Sequence, residues 1–155
     1  MMGSAAGPLW ASWTVWAVVN SVNLLQAVGF LSRLRTGSLA ANHILGLVIM
    51  ALAIPALAAL VAFVRAKAGW LAWVGPAAFL AFVALMAAVE YVVPVEFRSP
   101  ARPSVLVPYL VLFFGAIVLM GLPMFFADRR PWLVTVASST LLLGSMVAAL
   151  RAGVG

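Results

Sequence analysis

Charge in this chain is confined to the gaps between five long apolar runs, or to their ends, and no other feature limits its fold as tightly. All nine basic and three acidic residues follow the rule. The runs cover roughly residues 9–31, 39–64, 70–93, 105–126 and 132–150, each about the 17–25 residues a helix needs to cross a ~30 Å hydrocarbon layer. Hydrocarbon offers backbone amides no partner, and the runs are too long and too little alternating for barrel strands, so each is expected to be helical. The expected fold class is therefore all-α: a membrane protein built as a compact bundle of five transmembrane helices with short loops. Its termini are expected on opposite sides, and residues 1–155 are read as one transmembrane domain.

Composition removes the soluble alternatives. Hydrophobic residues make up 66% of the chain and charged ones 8%, where a soluble domain carries about a quarter charged residues. A net charge of +6 would point to nucleic acid in a soluble protein. Here the basic residues stand at span ends, where membrane lipids are the natural partners, and no nucleic-acid partner is expected. Cysteine is absent, which excludes thiolate chemistry and Cys-ligated metal. A single histidine without an acidic cluster gives a metal too few ligands, and no cofactor can be assigned. Residues 1–8 lack the basic start of a cleaved signal peptide, so the first span is read as retained.

Aromatic residues check the span count. With five spans, Trp10, Trp13, Trp16, Trp70, Trp73 and Trp132 fall near one membrane face, and Tyr91 and Tyr109 near the other. Rings with one polar end favour the head-group level, and a wrong count would scatter them. Arg33, Arg35, Arg98, Arg102 and Arg151 mark the Tyr face, against Arg65, Lys67, Arg129 and Arg130 at the Trp face. The loop after the first span, carrying Arg33 and Arg35, orients the chain with its N-terminus out and the Tyr face cytoplasmic, in a bacterial or archaeal cytoplasmic membrane.

Polar residues within the spans are informative because lipid gives them no solvent. On the first helix Ser12, Trp16, Asn20, Asn23 and Gln26 share an arc of about 120° at 100° per residue. The arc is expected to face the bundle interior or a partner, either as amide glue between helices or as a polar cavity wall. Gly46, Ala53 and Ala56 line up on the second span as a close-packing face, and Pro55 is expected to kink it. Thr135, Ser138 and Ser145 share a face of the fifth span and predict an interhelical contact.

The sharpest grouping comes from depth. His43 lies four residues into the second span and Glu90 four before Pro94, which places both roughly 6 Å below the same face at the ~1.5 Å helical rise. Gln26, Asn42, Tyr91 and Tyr109 approach that level. The proline-rich loop 94–104 hangs Glu96, Arg98 and Arg102 above it. The sequence thus predicts a polar pocket at the Tyr face, with Asn20 and Asn23 on its deeper wall. Three uses are open: an interfacial ion-pair cluster, acid–base chemistry by His43 and Glu90, or capture of an amphiphile with an anionic head group. The favoured function is a non-catalytic binding or accessory protein holding an amphiphilic or anionic ligand there. The alternatives are an enzyme acting on lipid head groups, a subunit of a larger membrane complex, or a passive channel formed by a homo-oligomer. No charged residue falls at the bilayer midplane, which disfavours ion-coupled transport.

Overall fold

The computed structural model describes residues 7–93, 95 and 102–153, and every regular element among them is helical. Five helical stretches are long and apolar enough to cross a membrane: Leu9–Thr36, Ala40–Arg65, Trp70–Val92, Pro103–Phe126 and Arg129–Arg151. Their element names are α1 (Leu9–Thr36), α2 (Ala40–Ala51) with α3 (Ala53–Arg65), α4 (Trp70–Ala87), α5 (Pro103–Ala127) and α6 (Arg129–Arg151).

The second span is broken, and its sequence explains where. Pro55 has no N–H to return to the carbonyl of Ala51, so the ladder is interrupted one turn earlier. The gap falls at Leu52, whose own N–H is shared between Val48 O at 3.2 Å and Ile49 O at 3.1 Å. The third span ends differently. From Ala88 to Val92 the helix widens into a π-helical turn, with Val93 N donating to Ala88 O at 2.9 Å. The next residue is Pro94, which cannot continue a helical ladder.

Both basic residues expected in the first loop are instead helical. α1 continues to Thr36 and stops at Gly37, whose φ of 65° is left-handed and whose N–H caps Arg33 O at 2.8 Å. Glycine adopts this conformation without steric cost. At the other end of the bundle α5 and α6 are separated only by Asp128, whose carboxylate accepts from Arg130 N at 2.9 Å and caps the start of α6. That is the favoured place for an acidic cap.

α1 is the central post, touching α2, α3, α5 and α6. The two most extensive helix pairings are α4 with α5 and α1 with α6. In the first pair Gly75 lets the two backbones come close: a Cβ there would stand 2.7 Å from Met120 N and 2.8 Å from Leu119 O. Farther along the same seam Phe82 packs against Phe113 and Tyr109, with ring centroids 5.1 and 5.2 Å apart. Phe63, Phe79, Phe82, Met86, Met120 and Leu142 are fully buried, so the interior is filled by side chains. Large apolar residues such as Ile54, Val111 and Leu133 cover the outside, the arrangement lipid requires.

Candidate functional site at the tyrosine end

At the π-helical turn two neighbouring side chains go to different helices. Glu90 turns to α5, where the buried Tyr109 Oη donates to its Oε1 at 2.7 Å. Tyr91 turns to α2, where its Oη donates to the His43 carbonyl at 2.8 Å. The phenol fits because residue 46 is glycine: a Cβ on Gly46 would collide with Tyr91 Oη. The His43 imidazole lies over the Tyr91 ring, with centroids 4.5 Å apart and planes tilted by 37°, and stays exposed. Short π-helical segments inside α-helices recur at functional sites, and this one ties α2, α4 and α5 together at one end of the bundle.

Asn42, one residue before His43, closes the same end against α1. With its amide oriented to satisfy both neighbours, it donates to Gly29 O at 3.1 Å and accepts from Arg33 Nη2 at 3.2 Å. Gly29 makes room for it, since a Cβ there would stand 2.8 Å from the Asn42 amide group. Arg33 is only 7% exposed, and its guanidinium also lies 5.6 Å from the Phe30 ring centroid. A buried arginine is costly unless hydrogen-bonded. Arg33, Glu90 and Tyr109 each make further interactions beyond these. Arg35 and Arg102 are exposed at this end.

The structure therefore brings together Asn42, His43, Glu90, Tyr91 and Tyr109, and adds Arg33, Gly29 and Gly46 to them. Arg33 was hidden in the sequence by its place among what looked like loop residues; its four-residue spacing from Gly29 was the available clue. Glu96 and Arg98 lie outside the described residues. His43 and Glu90 share a level but turn to different neighbours, the imidazole to Tyr91 and the carboxylate to Tyr109.

Asn20 and Asn23 belong to another region. Trp16 Nε1 donates to Pro131 O at 2.9 Å, Asn20 Nδ2 to Thr135 Oγ1 at 3.1 Å and Asn23 Nδ2 to Ser138 Oγ at 3.0 Å. All three links span 115 residues, so α1 and α6 run parallel in fixed register. Ser138 Oγ returns a bond to Asn20 Oδ1 at 2.8 Å, and Asn23 Nδ2 also reaches Ser139 Oγ at 3.0 Å. The polar arc of α1 is thus matched by the hydroxyl face of α6. Gln26 is half-buried at the end of that arc. One atom is left over: Asn23 is fully buried, and its Oδ1 has no hydrogen-bond partner among the described residues.

Among the described residues no group of three or more His, Cys, Asp or Glu is placed to hold a metal ion. Comparison of the chain with protein-family models, with curated proteins and with solved structures finds no match.

Proposed function

We propose that this membrane protein is a non-catalytic binding or accessory protein that holds an amphiphile by its anionic head group at the tyrosine end. The observation that carries the reading is the exposed His43 ring, fixed over Tyr91 by the bond from Tyr91 to the His43 carbonyl. A flat aromatic pair at the level of the head groups offers an amphiphile an apolar face beside a donor. Arg35 and Arg102, exposed at the same end, supply the positive charge that attracts an anionic head group. Acid–base catalysis is the less favoured use, because the carboxylate of Glu90 is engaged by Tyr109 and the imidazole faces Tyr91. In this proposal the tyrosine end is cytoplasmic, in a bacterial or archaeal membrane.

The test is native mass spectrometry of the full chain in mild detergent, equilibrated with equal amounts of phosphatidylglycerol and phosphatidylcholine. Retained phosphatidylglycerol, reduced about 3- to 10-fold by loss of one or two hydrogen bonds in His43→Ala and in Arg102→Gln, is the expected result. Equal retention of both lipids, or retention of phosphatidylglycerol unchanged in both variants, would remove the reading. Co-purification of protein subunits with no lipid adduct would instead make the chain a component of a larger assembly.

A further inference from the structure

The two strong pairings leave a weak one between them. α6 is held to α1 by the asparagine and hydroxyl bonds, and α5 to α4 by the close approach at Gly75. α5 and α6 are joined by the single residue Asp128, yet they meet far less extensively than either pair. Between them lies a cleft of about 380 Å³, within the range of roughly 300–1,000 Å³ typical of small-molecule sites. Ile117, Leu142 and Leu143 form apolar walls, and Phe114 and Trp132 supply aromatic rings. Gly121, whose Cβ would stand 3.3 Å from Thr135 Cγ2, lies opposite the hydroxyl face of α6.

The cleft contains a hydroxyl with a proton to give. Ser139 Oγ accepts from Asn23 Nδ2 at 3.0 Å, and no acceptor for its own proton is found among the described residues. A helical serine usually donates to the carbonyl one turn back. Here Ser139 Oγ makes no such bond; the hydroxyl beside the Thr135 carbonyl is that of Ser138, at 3.1 Å, whose one proton is shared with the nearer Asn20 Oδ1 at 2.8 Å. The other hydroxyls of the wall are engaged: Thr135 with Pro131 O at 3.4 Å and Thr140 with Val136 O at 2.8 Å. The bond from the fully buried Asn23 amide polarises the Ser139 O–H, since linked hydrogen bonds strengthen one another.

Depth narrows the occupant. Ser139 stands ten residues into α6, which is ~15 Å along the helix axis and therefore near the middle of a ~30 Å hydrocarbon layer. Ester carbonyls of phospholipids lie at the head-group boundary and do not reach that level. We infer that the α5–α6 cleft binds a neutral, bilayer-dissolved aromatic carbonyl compound, of the aryl ketone or quinone class, whose oxygen accepts from Ser139 and whose rings pack among Phe114, Ile117 and Trp132. This site is separate from the tyrosine end and does not depend on the head-group reading.

Benzophenone tests it, being both a ligand of this class and a photolabel that inserts into C–H bonds close to its carbonyl. The full chain in phosphatidylcholine nanodiscs is irradiated with increasing benzophenone, and the labelled peptides are identified. Labelling should saturate and centre on residues 117–122 and 135–143. Fluorenone should compete about 3- to 10-fold better than fluorene, which has nearly the same shape without the acceptor, as one hydrogen bond would allow. Ser139→Ala should abolish that preference, and Val136→Trp, a bulky change at an exposed wall position, should remove saturable labelling. Labelling that never saturates and spreads over all lipid-facing helices would mean that acyl chains alone occupy the cleft. Saturable labelling with equal competition by fluorene, or with no change in Ser139→Ala, would equally overturn the assignment.

Discussion

The α1–α6 and α4–α5 seams join helices of similar length by opposite means. α1 and α6 are parallel and held by side-chain hydrogen bonds among Trp16, Asn20, Asn23, Thr135, Ser138 and Ser139. α4 and α5 are consecutive and antiparallel, with Gly75 against the backbone of Leu119 and Met120 and with aromatic rings farther along. Water offers no competition in hydrocarbon, yet an interhelical hydrogen bond there is worth only about 0.6 kcal/mol on average, because the separated helices also find partners for their polar groups. Close packing is replaced in the separated state by looser contact with acyl chains, which cannot follow the shape of a glycine notch. The polar seam fixes register and the glycine seam fixes distance; the second is the more sensitive to change.

Gly75→Leu should break the comparison most sharply. Its side chain would meet main-chain atoms that cannot move without separating α4 from α5, and overpacking of this kind costs about 3 kcal/mol or more. Reversible unfolding in mixed micelles of sodium dodecyl sulfate and dodecyl maltoside measures the loss. A variant within about 0.5 kcal/mol of the parent, the usual range for an inconsequential surface change, would show that the seam does not depend on this approach.

Asn20→Ala comes next, with a loss of about 1 kcal/mol from the exchanged bonds with Ser138 and Thr135. The same assay on Ser138→Ala and the double variant gives the pairwise coupling, expected near 0.6 kcal/mol and not above roughly 1.7. A coupling of several kcal/mol would reverse the ranking of the two seams.

Asn23→Leu should have the smallest effect, within about 0.5 kcal/mol of the parent. It removes donors to Ser138 and Ser139, but it also removes a buried carbonyl oxygen without a partner among the described residues, and burial of such an atom costs about 1–3 kcal/mol. A marked loss of stability, measured alongside Asn20→Ala, would mean that Oδ1 is satisfied in the membrane, and would direct attention to a bound water at the α1–α6 seam.

Much of the scaffold follows from local sequence. Twenty apolar residues in hydrocarbon have one way to satisfy their amides, so the number, length and helical state of the spans need no knowledge of neighbours. The break near Pro55 follows from a missing N–H, whereas the run of α1 past the expected loop to Gly37 shows only in the structure. The polar faces of α1 and α6 are likewise visible as helical periodicity, because lipid drives Asn, Ser and Thr inward wherever the helices end up.

Choice of partner is not local. Equal depth suggested that His43 and Glu90 would meet, and a periodic arc suggested that Asn20 and Asn23 would stand behind them. Depth fixes one coordinate of a residue in a membrane and leaves its direction around the helix free. The π-helical turn sets that direction for Glu90 and Tyr91, sending one side chain to Tyr109 and the other to His43. The pairing of α1 with a helix 115 residues away claims the asparagines for α6. The cleft between α5 and α6 lies where a helix of one seam meets a helix of the other, an arrangement of four helices for which no single segment carries a signal.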